Sequence, residues 1–96
     1  GAEHRELTAT ERRDVGDLMF QIGIMHSLRN SDHATAVTWF DKTIPLWNQN
    51  EQVVRDSELG RVGESFISMA ISYWQVERRD DAIDLSRTGV DFMVEA

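Results

Sequence analysis

Residues 66–74 read Phe66-Ile67-Ser68-Met69-Ala70-Ile71-Ser72-Tyr73-Trp74, and 47 residues earlier Met19-Phe20-Gln21-Ile22-Gly23-Ile24-Met25-His26-Ser27 shows the same order. In both, an apolar residue precedes a tiny one, and a ring follows three positions on. Farther along, Ala36-Val37 matches Ala82-Ile83 and Thr43-Ile44 matches Gly89-Val90, now at an offset of 46 residues. The one-residue difference places a slightly longer turn at Arg29 to Asp32. Tiny residues at Gly23, Ala36, Ala70 and Ala82 have a physical purpose, because two helices cross closely only where neither presents a bulky side chain. The chain therefore reads as two helical hairpins, each a version of the other.

Around this duplication the apolar residues recur at three-and-four spacing, which predicts helices and no strands. Thr8-Ala9-Thr10-Glu11 matches a capping box, so a first helix should run from Ala9 to Arg29. Along it Val15, Leu18, Met19, Ile22, Met25 and His26 share one broad apolar side. Asn30-Ser31-Asp32 breaks the pattern and caps a second helix, which carries Ala36, Val37, Trp39, Phe40 and Ile44. Pro45 should end or kink that helix, since proline lacks a backbone donor and clashes with the preceding turn. The polar run Asn48 to Gln52 reads as a connection. Ser57 is the expected cap of a third helix reaching Val76, with Leu59, Val62, Phe66, Met69, Ala70, Tyr73 and Trp74 as its apolar set, and a fourth helix from about Asp80 holds Ala82, Ile83, Leu85, Val90, Phe92 and Met93. The expected organisation is a flexible tail or tag remnant over 1–8 and one domain over 9–96. Within it, hairpin one covers about 9–47, a connector about 48–56, and hairpin two about 57–96.

Composition narrows the function classes. Ninety-six residues hold one core, and 41% apolar with 28% charged residues is ordinary globular composition. Ten Lys and Arg against 17 Asp and Glu give a net charge of -7, the wrong sign for a surface that neutralises phosphates. No nucleic-acid partner is expected, and without a basic cluster or a long apolar span no membrane partner either. The chain has no cysteine, which excludes disulfides and thiolate metal sites and leaves the compartment unknown, cytoplasmic by default.

The pattern Phe66-x-x-Met69-Ala70-x-x-Tyr73 followed by Ala82, and Met19-x-x-Ile22-Gly23-x-x-His26 followed by Ala36-x-x-x-Phe40, resembles the tetratricopeptide repeat family, as two divergent repeats. Three features depart from the family pattern. The repeat offset exceeds the customary length, Pro45 falls early, and Ser86 stands where an aromatic is usual. The resemblance implies an all-α fold of two antiparallel helical hairpins, four main helices in all. It also implies that the first helix of each hairpin lines a groove for a peptide or helix. Carried over by alignment, the groove residues are Asp17, Phe20, Ile24 and Leu28 from hairpin one and Glu64, Ile67, Ile71 and Trp74 from hairpin two. Such a groove has an apolar centre and an acidic rim, suited to a helix or apolar peptide with basic flanks. Neither first-type helix carries the Lys and Asn of the family's carboxylate clamps.

Chemistry has no scaffold here. His26 and His33 are separated by the Asn30-Ser31 break and lack a completing carboxylate, so neither metal nor cofactor is expected. Gly60-Arg61-Val62-Gly63 lacks the lysine and strand of a phosphate loop, and both glycines read as helix-surface positions. The pair Asp80-Asp81 suits a helix start, where the dipole favours negative charge. The expectation is a protein-binding module and not an enzyme. The alternative is a self-association domain, because two hairpins fall short of the about three repeats that usually make a stable stack.

Overall fold

The computed structural model describes residues 6–52 and 59–95. They form four helices and no strand: α1 (Ala9–Asn30), α2 (His33–Gln49), α3 (Leu59–Gln75) and α4 (Arg79–Glu95). α1 pairs along its length with α2, and α3 with α4, which makes two antiparallel helical hairpins. The hairpins join through α2 and α3, while α1 only brushes α3.

Local chemistry sets the helix ends. The Thr8 hydroxyl accepts from the Glu11 amide at 3.1 Å and the Glu11 carboxylate accepts from the Thr8 amide at 2.9 Å, so the capping box is closed. Asp32 caps α2 by accepting from the Thr35 amide at 3.1 Å, and hydrogen bonding from the Thr35 side chain first, then from its amide, holds the Asp32 carboxyl below the usual range. Both hairpin turns pass through a left-handed residue, Ser31 at φ 49° and Glu77 at φ 67°. The Asp32 amide donates to the His26 carbonyl at 3.0 Å and the Arg78 amide to the Tyr73 carbonyl at 2.9 Å. Those are equivalent positions in the two halves. The first bond spans one residue more, so the extra residue lies in the closing turn of α1, where the two sequence offsets part. The Ser57 cap expected for α3 lies outside the described residues.

Each hairpin closes over glycine. A Cβ on Gly16 would lie 2.9 Å from the Trp47 ring, and one on Gly63 would lie 2.5 Å from Cγ of Met93. A Cβ on Gly23 would run into the Phe40 ring, while Gly63 and Gly89 bring two backbones together, with a Gly63 Cβ 2.6 Å from the Gly89 carbonyl oxygen. Gly63 is thus a buried crossing point and not the helix-surface position expected of it. Its spacing from Gly89 in the folded chain, not its neighbours in sequence, gives it that role.

Over these crossings runs a continuous chain of rings. Phe20 of α1 meets Phe40 at 5.8 Å and Trp47 at 5.4 Å between centroids, both on α2. Phe40 meets Tyr73 at 6.4 Å and Trp47 meets Phe66 at 5.6 Å, both on α3. Phe66 then stacks on Phe92 of α4 at 5.6 Å. Aromatic pairs in such offset and edge geometries add about 0.5–1.5 kcal/mol each beyond area burial. All four helices are tied through one side-chain path.

Two boundaries differ from expectation. α2 neither ends at Pro45 nor gives way to a loop at Asn48, but continues to Gln49. Pro45 is exposed, and the turn beyond it carries Trp47 into the core, where it is 6% exposed. Burying that ring offsets the missing backbone bond. Asn50, expected in a polar connection, is buried and joins the helices. Its amide donates to the Leu46 carbonyl at 2.6 Å and its oxygen accepts from Nε of Arg12 at 3.1 Å.

Two substitutions of opposite sense test this geometry. Gly63→Ala should lower stability by about 1–3 kcal/mol in urea unfolding, because overpacking at a backbone contact outweighs the gain of about 1 kcal/mol from alanine's helix propensity. Glu77→Gly should instead raise it by about 1 kcal/mol, since glycine takes the left-handed turn without a Cβ penalty. A stabilised Gly63→Ala protein would show that the two backbones are not in contact.

Candidate docking surface

The eight groove positions read from the sequence fall into two groups. In hairpin one, Phe20 is a core residue, 9% exposed between Phe40 and Trp47, and Ile24 packs against the same core. Asp17 is half-buried, with its carboxylate accepting from Nε1 of Trp47 at 3.0 Å. Burial pushes its pKa up, against the pull of Arg13 and of the indole bond. Of this group only Leu28, 77% exposed, stands in solvent. In hairpin two, Glu64, Ile71 and Trp74 are exposed and Ile67 is partly so. The eight residues therefore do not line a single open groove.

The reason is the orientation of α1. Its inward side is Gly16, Phe20 and Gly23, the only side on which α2 can approach. The broad apolar side with Leu18, Ile22 and Met25 consequently faces outward, these residues being 65%, 36% and 53% exposed. α1 is apolar on opposite flanks.

A surface hollow does form between α3 and α4. Ile67, Ala70, Ile71 and Trp74 line one wall and Ala82, Ile83, Ser86 and Arg87 the other, enclosing about 360 Å³. Its origin is one facing pair that differs between the halves. In hairpin one, Phe40 lies over Gly23 and fills the corresponding space completely. In hairpin two the equivalent pair is Ser86 over Ala70, and the short Ser86 side chain leaves the space open. Beside it the Arg79 guanidinium lies 4.9 Å from the Trp74 ring centroid, which fixes the ring at the edge of the hollow. Sequence alignment named Ile67, Ile71 and Trp74. It missed Ile83 and Ser86, although Ser86 was marked as the aromatic absent from the pattern.

A second depression runs between α2 and α4 over the Tyr73 ring. Three of its charged residues, Asp41, Arg78 and Asp81, are engaged with one another. Arg78 places Nη1 2.8 Å from Oδ2 of Asp41 and Nη2 2.9 Å from Oδ2 of Asp81, and the Tyr73 hydroxyl donates to Oδ1 of Asp41 at 2.6 Å. Burial first, and then the bond to Asp41, raise the Tyr73 pKa far above its ordinary value, while bonding to the two carboxylates raises that of Arg78. This network fastens α2 to the turn between α3 and α4.

His33 is held in structure as well, with Nδ1 2.9 Å from the Ser72 hydroxyl. Among the described residues no group of three or more His, Asp and Glu is placed to hold a metal ion. No described helix is long and apolar enough to cross a membrane. Comparison of the chain with protein-family models, with curated proteins and with solved structures finds no match.

Proposed function

We propose that this chain is a protein-binding module that receives an amphipathic helix or an apolar peptide on the α3–α4 face, around the hollow left by Ser86. The supporting observation is the company that hollow keeps. Ile71, Trp74 and Ile83 are 56%, 49% and 42% exposed around it, and Val90 and Met93 continue the apolar surface along α4. Scattered apolar residues on a surface need no explanation, but a contiguous patch around a concavity marks an interaction site. An indole at the rim is the usual kind of energetic anchor, because it contributes large area at little conformational cost. A bound helix would set side chains at three-and-four spacing into the hollow. The net charge of -7 favours basic residues flanking that apolar stripe.

The tetratricopeptide likeness supports the same class of function by analogy of hairpin pattern, with the site moved from a groove between first helices to the outer face of the second hairpin. The groove position of Phe20 drops out of the proposal, because that ring is enclosed. Catalysis is not part of this reading.

Peptides selected from a displayed library of amphipathic helices should bind the chain and shift the Trp74 emission to shorter wavelength. Ile71→Asp and Trp74→Ala should each weaken those peptides at least tenfold while leaving the unfolding midpoint near wild type. Undiminished binding by both variants, or a library that yields no binder, would refute the site.

A further inference from the structure

We infer that the occupant of the α3–α4 face is the outward side of α1 from a second copy, so that copies of this chain stack head to tail; this rests on the docking reading of that face. The inference comes from the one contact between hairpins that the chain already makes. Hairpin one meets α3 through Phe40 against Tyr73 and Trp47 against Phe66, and Phe20, Ile24, Val37 and Ile44 belong to or pack against the same core. Moving by the internal repeat, their counterparts in hairpin two are Ile67, Ile71, Ile83, Ser86, Val90 and Met93. Of these, Ile71, Ile83, Val90 and Met93 are exposed and Ile67 and Ser86 partly so. The acceptor surface is present twice and filled once.

The donor surface obeys the same rule. α3 enters hairpin one with Val62, Phe66, Met69, Ser72 and Tyr73, of which Met69 is fully buried and Ser72 and Tyr73 are 1% exposed. The equivalent residues of α1 are Val15, Met19, Ile22, Met25 and His26. Of these, Ile22 and Met25 are exposed and Val15, Met19 and His26 partly so, on the flank of α1 away from Gly16, Phe20 and Gly23. So the two unsatisfied faces of the chain are the two halves of an interface whose geometry is realised between its own hairpins. A symmetric pairing of like faces would reproduce no contact the fold contains, whereas head-to-tail stacking repeats a known one.

The match is apolar and not polar. At the internal contact the Tyr73 hydroxyl meets Asp41, but the equivalent positions on the free faces hold His26 and Arg87. The stacking contact therefore lacks that charge-assisted bond and depends on Ile22, Met19 and Met25 entering against Ile83, Val90 and Met93. It should be weaker than the internal joint, and because the donor and acceptor lie on different faces it should not close at two copies.

Sedimentation of the full chain from micromolar to millimolar concentration tests this, with two variants at exposed positions. Ile22→Glu with Met25→Glu blocks the donor face, and Ile83→Glu with Val90→Glu blocks the acceptor face. The wild type should gain mass beyond a dimer as concentration rises. Each variant alone should stay monomeric at concentrations at least tenfold above the wild-type transition, with helical circular dichroism and unfolding midpoint retained. Mixed one to one, the variants should form a complex that stops at two chains, since one donor and one acceptor face remain. A monomeric wild type, a closed dimer, or association that survives the donor-face variant would overturn the inference. The donor-face variant leaves the α3–α4 face untouched, so peptide selection on that variant tells failure of the stacking apart from failure of the docking reading.

Discussion

The fold depends on how closely the helices of each hairpin can approach. At Gly16 and Gly23 in the first hairpin, and Gly63 and Gly89 in the second, there is no room for a Cβ, and at the last pair the contact is backbone against backbone. An interhelical distance this short is open to glycine and closed to every other residue. It fixes which flank of each helix is inside. Once α1 is held by Gly16 and Gly23, Phe20 must lie between Phe40 and Trp47, and Trp47 is then placed to touch Phe66 of the next hairpin. The ring path across all four helices follows from two glycines in the first.

This constraint also explains what could and could not be read in the sequence. Helix positions were legible because caps and spacing are local: Thr8 with Glu11, Asp32 with Thr35, and the three-and-four recurrence each act within a few residues. The duplication was legible because equal packing tasks demand equal residue sizes, and even the extra residue of the first turn appeared as a change of offset. The inward side of α1 was not legible by periodicity. Val15, Leu18, Met19, Ile22 and Met25 make a broader apolar stripe than Gly16, Phe20 and Gly23, yet the smaller set lies inside. Counting apolar residues weighs hydrophobic area, whereas the fold was decided by steric approach. Gly16 with Gly63 was the signal that periodicity overlooked, a glycine pair at the repeat offset.

Pro45 shows a related limit. Its local effect is to break a helix, and that effect is real for the one hydrogen bond it removes. The outcome was set by Trp47 and Asn50 beyond it, whose partners Gly16, Phe20 and Arg12 lie more than 25 residues away in the chain. Tertiary contact outweighed local propensity where the two disagreed. The candidate site was half legible for the same reason. Ile67 and Ile71 sit on a helix whose inward residues Phe66, Met69, Ala70 and Tyr73 periodicity identified, while Trp74, read into that same apolar set, is exposed, and Phe20 and Ile24 sit on the helix it turned the wrong way.

What remains is the difference between two hairpins of one design. The first has Phe40 over Gly23 and the second has Ser86 over Ala70, a large side chain facing none traded for two small ones. Both solutions allow the helices to cross. Only the first also presents a ring outward to the neighbouring hairpin, where Phe40 meets Tyr73. The second keeps the crossing and surrenders the outward contact, which leaves a concavity bounded by Ile71, Trp74 and Ile83. If this face had merely lost its neighbour, polar substitution along it would cost the fold nothing, because none of these side chains holds the core together. A continuous apolar surface there, with Leu18, Ile22 and Met25 exposed on α1, therefore bears on association and not on the stability of the single chain.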